Sequence, residues 1–121
     1  MKKILVVDDS SAIRQSLEFV LKENGFDVIT AEDGQDGLSK VKAAKYDLVI
    51  TDVNMPNMDG ITLVKEARSL SDYKFVPILV LTTESQDSKM QEGKAAGATG
   101  WIVKPFDNEK LLGTIRKVLP N

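Results

Sequence analysis

The sequence has no cysteine and no histidine. Without thiols it can form neither a disulfide framework nor a thiolate-ligated zinc site. Without imidazole it lacks the commonest metal ligand and the commonest general base, along with the side chain that usually carries phosphate on nitrogen. Any chemistry must therefore run on carboxylates, hydroxyls, lysine and arginine. A dominant charge is also missing: 16 Lys and Arg against 18 Asp and Glu leave a formal net charge of −2. That excludes a strongly basic face and argues against nucleic acid as the main partner. Long apolar runs are absent too. After Met1-Lys2-Lys3 only four apolar residues precede Asp8-Asp9, too few for a signal-peptide core or a membrane span. A cytoplasmic protein is expected, with no membrane partner.

What is present is enough for one ordinary domain over residues 1–121, with 42% hydrophobic residues to build a core. A chain of this size buries roughly two-thirds of its unfolded surface. Short apolar, β-branched runs recur at Ile4–Val7, Val28–Ala31, Leu48–Thr51, Ile78–Leu81 and Trp101–Val103. Each is continuous rather than alternating, the pattern of strands buried on both faces of a parallel sheet. Between them lie helical spacings. Ile13, Leu17, Val20 and Leu21 share one face, as do Leu111, Ile115, Val118 and Leu119. Weaker ones are Leu38 with Val41, the set Ile61, Val64 and Ala67, and the stretch from Met90 to Ala96.

The punctuation agrees. Gly25 and Gly97 stand where helices want a left-handed C′ residue. Asp59, Ser85 and Asp107 stand at N-cap positions, with Asp87 and Glu109 in the first turns that follow. Pro77 opens the fourth strand. The four methionines read as core or loop fillers. Five β-α units in 121 residues are too few for an eight-fold barrel. The expected fold is therefore α/β, a doubly wound open parallel sheet of flavodoxin type with strand order 2-1-3-4-5.

In such sheets ligands bind beyond the carboxyl ends of the strands, where the winding reverses. Polar residues abut four of these ends: Asp8 and Asp9 after the first strand, Asp52 after the third, Thr82 after the fourth and Lys104 after the fifth. Neighbouring strands lie ~4.8 Å apart, so Asp8, Asp9 and Thr82 flank Asp52 with short side chains. Lys104 is two strands away, ~10 Å, and only a long side chain could return to the centre. Three crowded carboxylates repel one another unless a cation intervenes, and all-oxygen ligation suits Mg²⁺ or Mn²⁺. With a hydroxyl and an ammonium added, the set has the parts for phosphoryl transfer to a carboxylate. Plainer roles exist for each residue alone. Asp8 and Asp9 could cap the first helix in competition with Ser10 and Ser11, and Asp52 could start a turn.

The segments Ile4-Leu5-Val6-Val7-Asp8-Asp9, Asp52-x-x-Met55-Pro56-x-Met58-Asp59-Gly60, Leu81-Thr82 and Lys104-Pro105-Phe106 fall in order along the chain. In them the sequence resembles the receiver domain of two-component response regulators, specifically the single-domain chemotaxis (CheY) type, over essentially its whole length. The resemblance implies that Asp52 is the phosphorylated aspartate. It implies that Asp9 and Asp52 bind Mg²⁺ directly, Asn54 through its backbone carbonyl and Asp8 through a water. Thr82 would be the switch hydroxyl, Lys104 the phosphate-contacting lysine, and the peptide before Pro105 cis. Asp59 and Gly60 read as cap and turn residues. Trp101 departs from the family, whose switch aromatic at that position is usually Tyr or Phe; plain packing on an edge strand is the competing role. Asn54 and Glu84 occupy positions thought to tune phosphoryl lifetime, and their pairing is the chemotaxis one.

The resemblance further implies a histidine kinase of the chemotaxis type as phosphate donor. The output partner would be the flagellar motor switch or another protein, with a phosphatase as a further partner and the protein itself a monomer. The protein would not be an enzyme beyond Mg²⁺-dependent autophosphorylation and autodephosphorylation. Three alternatives remain. A phosphorelay intermediate would pass phosphate to a histidine phosphotransfer domain. A haloacid-dehalogenase-type phosphatase wants a second Asp where Asn54 stands. An FMN binder wants a phosphate-cradling loop where Asp8 and Asp9 would repel the ligand.

Overall fold

Five parallel strands form the centre of the molecule: β1 (Lys3–Val7), β2 (Asp27–Ala31), β3 (Leu48–Asp52), β4 (Ile78–Thr83) and β5 (Gly100–Lys104). The computed structural model describes residues 1–83 and 87–119, and of Asp87 the backbone alone. The expected positions Glu84 and Ser85, and the side chain of Asp87, lie outside the described residues. The sheet order is β2-β1-β3-β4-β5, with β1 and β3 paired from Ile4–Leu48 to Val7–Thr51. The connections are α1 (Ser11–Glu23), α2 (Gly34–Ala43), α3 (Gly60–Arg68), α4 (Asp87–Ala96) and α5 (Asn108–Val118), with a short 3₁₀ turn at Ser71–Tyr73.

Alternation along the strands splits the core into two layers. Ile4, Val6, Leu48, Ile50, Leu79, Leu81 and Ile102 pack with Leu17 and Leu21 of α1 and Leu111 and Ile115 of α5. Leu5, Val7, Val49, Ile78 and Val80 face the other way, against Val41 of α2 and Ile61, Leu63, Val64 and Ala67 of α3. Continuous apolar runs are what a sheet covered on both sides requires.

The helix ends form as their residues direct. Ser10 caps α1, Asp59 caps α3 and Asp107 caps α5 through their side chains. Gly25 and Gly97 adopt φ +88° and +110° after α1 and α4. Three sequence expectations shift slightly. Asp52, Thr82 and Lys104 lie within their strands rather than after them, because the parallel ladder continues to Asp52–Leu81 and Thr83–Lys104. Pro77 precedes β4, its carbonyl accepting from Val49 N–H at 3.1 Å. Met55 and Met58 pack on the core, but Met1 is exposed.

Candidate functional site

The same alternation sorts the polar residues at the carboxyl end of the sheet. Asp52 is in phase with Leu48 and Ile50, and Lys104 with Ile102, so both point to the α1–α5 side. Thr82 is in phase with Val80 and therefore points to the α2–α3 side. Val80 pairs with Trp101 and Thr82 with Val103, which puts Thr82 and Trp101 diagonally on one face.

Asp8, Asp9 and Asp52 each offer a carboxylate oxygen, and these atoms lie within 4.8 Å of one another. Lys104 crosses from the edge strand to bring Nζ within 3.1 Å of Asp52 Oδ1 and 3.5 Å of Asp8 Oδ2. The peptide that follows it, Lys104-Pro105, is cis. Asp52 Oδ1 also accepts from Val53 N–H at 2.9 Å. Both contacts fall on Oδ1, so among the described residues Oδ2 is left open for reaction.

Asp8 is fully buried, although a carboxylate rarely is. Its Oδ1 accepts from Ser10 N–H at 2.9 Å, and Arg14 Nη1 donates to its backbone carbonyl at 2.6 Å. Among the described residues its Oδ2 has no hydrogen bond, and Lys104 at 3.5 Å is an ion-pair neighbour only. Burial pushes the Asp8 carboxyl above the usual range, with the Asp52 and Asp9 charges adding to the rise and Ser10 N–H and Lys104 opposing it. Ser10 is the cap of α1, so helix capping does not account for the buried aspartate. A buried carboxylate oxygen without a hydrogen bond among the described residues, beside two more carboxylates, fits a hard cation with oxygen ligands.

Gly60 is required here. A Cβ at that position would overlap the Asp52 carbonyl oxygen, and Gly60 N–H closes the loop by donating to Val53 O at 2.8 Å. That close approach fixes how the 53–59 loop leaves the site. Asn54 lies exposed in it. Thr82 Oγ1 is buried at the sheet end and has no hydrogen-bond partner among the described residues. Trp101 is 38% exposed and lies in a crease with Met90, Gln91 and Lys94 of α4. The structure therefore brings together Asp8, Asp9, Asp52 and Lys104, while Thr82 and Trp101 form a second group across the sheet. Arg14 of α1 and its cap Ser10, which hold Asp8, were not among the expected site residues, because a cap and a helix-surface arginine are ordinary at those positions.

Known proteins share this fold. The response regulator receiver domain family matches residues 4–116. The chemotaxis response regulator CheY4 of Vibrio cholerae superposes with a TM-score of 0.94 at 54% identity, covering 98% of this chain and 99% of that one. The receiver domain of the Pseudomonas aeruginosa sensor histidine kinase PA1611, solved with a magnesium ion coordinated in its active-site cleft, superposes with a TM-score of 0.90 at 25% identity, covering 97% and 96%. Protein PilG of Pseudomonas aeruginosa is 34% identical over 119 residues, 98% of this chain and 88% of its own, whereas the chain spans about half the length of other curated relatives. The chain belongs to the response regulator receiver domain family of two-component signalling proteins.

Proposed function

We propose that Asp52 accepts a phosphoryl group from a histidine kinase and that residues 1–121 act as one chemotaxis-type receiver. The observation that carries this reading is the state of Asp52. Lys104 and Val53 N–H fix its Oδ1, while among the described residues Oδ2 has no such contact and the neighbouring buried Asp8 oxygen has no hydrogen bond. In the reaction Asp52 Oδ2 attacks phosphorus, the P–N bond of the donor phosphohistidine breaks, and the imidazole leaves with the electron pair. Asp8, Asp9, Asp52 and the Asn54 carbonyl would hold Mg²⁺, or Mn²⁺ in its place, which when bound supplies charge neutralisation for the incoming phosphoryl oxygens. Lys104 stays near Oδ1 and meets the new phosphoryl group as a cation. An apolar groove of about 580 Å³ lined by Ala12, Ile13, Pro105 and Phe106 opens beside Lys104, a setting suited to a protein donor.

Thr82 is the switch hydroxyl in this reading. Among the described residues its Oγ1 has no hydrogen bond to lose on turning towards the phosphoryl group, and its departure changes the packing beside Trp101 on the same face. Phosphorylation adds about −1.5 to −2 charges at the sheet end, and the readout is a population shift on the surface of α4, β5 and α5. The output is binding of another protein, the flagellar motor switch in the chemotaxis reading that the likeness to CheY4 supports. Asn54 and Glu84 set the phosphoryl lifetime.

Acetyl phosphate or beryllofluoride should modify the protein only when Mg²⁺ or Mn²⁺ is present, and Asp52→Asn should abolish it. Labelling without metal, or mapped by mass spectrometry to another residue, would sink the assignment. Trp101 emission should change on activation relative to Mg²⁺ alone, and Thr82→Ala should blunt that change. An unchanged signal would leave Trp101 as edge-strand packing.

A further inference from the structure

Among the described non-glycine residues, only Asn57 lies at positive φ, at 70°. Met58 N–H donates to the Pro56 carbonyl at 2.8 Å, closing a three-residue turn centred on Asn57. This is the rarer and strained form of that turn. Strain of this kind persists only where surrounding contacts hold it, and two such contacts are visible. Asn57 Nδ2 donates to Asp33 Oδ2 at 2.8 Å. The next residue, Met58, presses its backbone carbonyl against Gly34, where a Cβ would overlap it. Asp33 is itself fixed, because its Oδ1 accepts from Asp36 N–H at 2.8 Å and caps α2. The Asp36 N–H and the Asn57 amide together hold the Asp33 carboxyl below the usual range, so the bond to Asn57 is charge-assisted at neutral pH.

The 53–59 loop is thus pinned at its far end and in its middle. Gly60 N–H ties its far end to Val53 O, and Asn57 and Met58 seat its middle on the first turn of α2. Asn54 lies between these two points. We propose that Asn57 and Asp33 form a latch that positions the 53–59 loop, and with it the Asn54 carbonyl, for a divalent cation at Asp8, Asp9 and Asp52. The proposal rests on the function argued above. Asn57 and Asp33 are positioning residues, 24 positions apart in sequence, and neither is itself placed among the cation's ligands.

Mg²⁺ titrated into the full chain by calorimetry tests the latch. Asn57→Asp sets two carboxylates against each other and should weaken Mg²⁺ binding about tenfold, the lower end of what losing an outer-shell partner costs. The double variant Asn57→Asp with Asp33→Asn restores one donor and one acceptor at unchanged net charge, and Asn caps helices as well as Asp. It should return affinity to within about twofold of the parent. Asn57→Gly keeps the positive φ without strain but lacks the amide, and it should bind as weakly as Asn57→Asp. Parental affinity in either single variant, or no recovery in the double variant, would overturn the latch. A parent that binds Mg²⁺ and is labelled at Asp52 while the variants are unaffected removes the latch alone. A parent that binds no Mg²⁺ removes the proposed function and the latch together.

Discussion

At the amino end of the sheet, the Tyr73 hydroxyl accepts from Tyr46 N–H at 3.0 Å and donates to Ala44 O at 2.6 Å. At the carboxyl end, the Asp8 Oδ2 and Thr82 Oγ1 atoms are buried and have no hydrogen bond among the described residues. The amino end goes further. Arg68, at the last turn of α3, donates to the carbonyls of Gly97, Tyr73 and Val76 and to Thr99 Oγ1. Thr99 Oγ1 in turn accepts from Ile78 N–H at 3.0 Å, and Asp47 Oδ2 takes Lys3 N–H at 2.8 Å. Both ends interrupt the same parallel ladder and face the same problem of stray polar groups. One end solves it internally, and the other leaves it open beside three carboxylates. On the proposed function the difference separates structure from function: polar groups that serve stability are hydrogen-bonded within the protein, and those that would meet a ligand are not.

Substitutions at the two ends should therefore act with opposite signs. The largest effect belongs to Arg68→Ala, which strips four acceptors of one partly buried cation. It should lower stability in urea by about 3 kcal/mol, in the range for breaking a buried network. A loss under about 1 kcal/mol would mean that water replaces the guanidinium and that the amino end is not internally solved. Tyr73→Phe comes next. It leaves the Tyr46 N–H and Ala44 carbonyl without their partner and should cost about 2 kcal/mol, read from the same melts. The smallest is Asp9→Ala at the carboxyl end. Asp9 is exposed, so in metal-free buffer relief of like-charge repulsion should add only about 0.5 kcal/mol. If it lowers the metal-free melting midpoint instead, Asp9 serves the fold and the contrast between the ends weakens.

The amino end was nearly invisible in the sequence, and the carboxyl end was not. A polar residue that stops a both-faces-buried strand stands out, as Asp8, Asp52, Thr82 and Lys104 do after their apolar runs. Strand order then follows from the β-α rhythm and explains which strands supply the site. Arg68 carries no such mark. It is one of several basic residues in last helical turns, such as Lys22, Lys94 and Arg116, which favourable helix-dipole interactions would already explain. Its role depends on Gly97 and Thr99 arriving from α4 and β5, which only tertiary packing brings about. The Asn57–Asp33 bond was hidden likewise, since the turn residues of the Asp52–Gly60 segment read as a loop of any shape. Sequence also left Ser10 and Ser11 competing with Asp8 and Asp9 as caps of α1. Once the structure gives the cap to Ser10, Asp8 is left as a buried carboxylate whose Oδ1 holds Ser10 N–H and whose Oδ2 has no hydrogen bond among the described residues.

Asp8 is accordingly where the contrast can be tested most directly, by measuring the stability of the parent and of Asp8→Asn with and without saturating Mg²⁺. The Asp8 carboxyl titrates above its ordinary value of 3.8 in the folded protein. The folded state therefore holds that proton more tightly than the unfolded chain does, and parent stability falls as pH rises from 3.8 through the raised value, remaining lower above it. Asp8→Asn lacks that fall, so in metal-free buffer at neutral pH it should be more stable than the parent, by about 1–2 kcal/mol. Mg²⁺ at ten times its dissociation constant should stabilise the parent by about 1.4 kcal/mol and the variant much less, so the order of the two proteins narrows or reverses when metal is added. A metal-free Asp8→Asn that is less stable than the parent, or one that gains as much from Mg²⁺, would contradict the claim that the carboxyl end of this sheet is left unsatisfied for a cation.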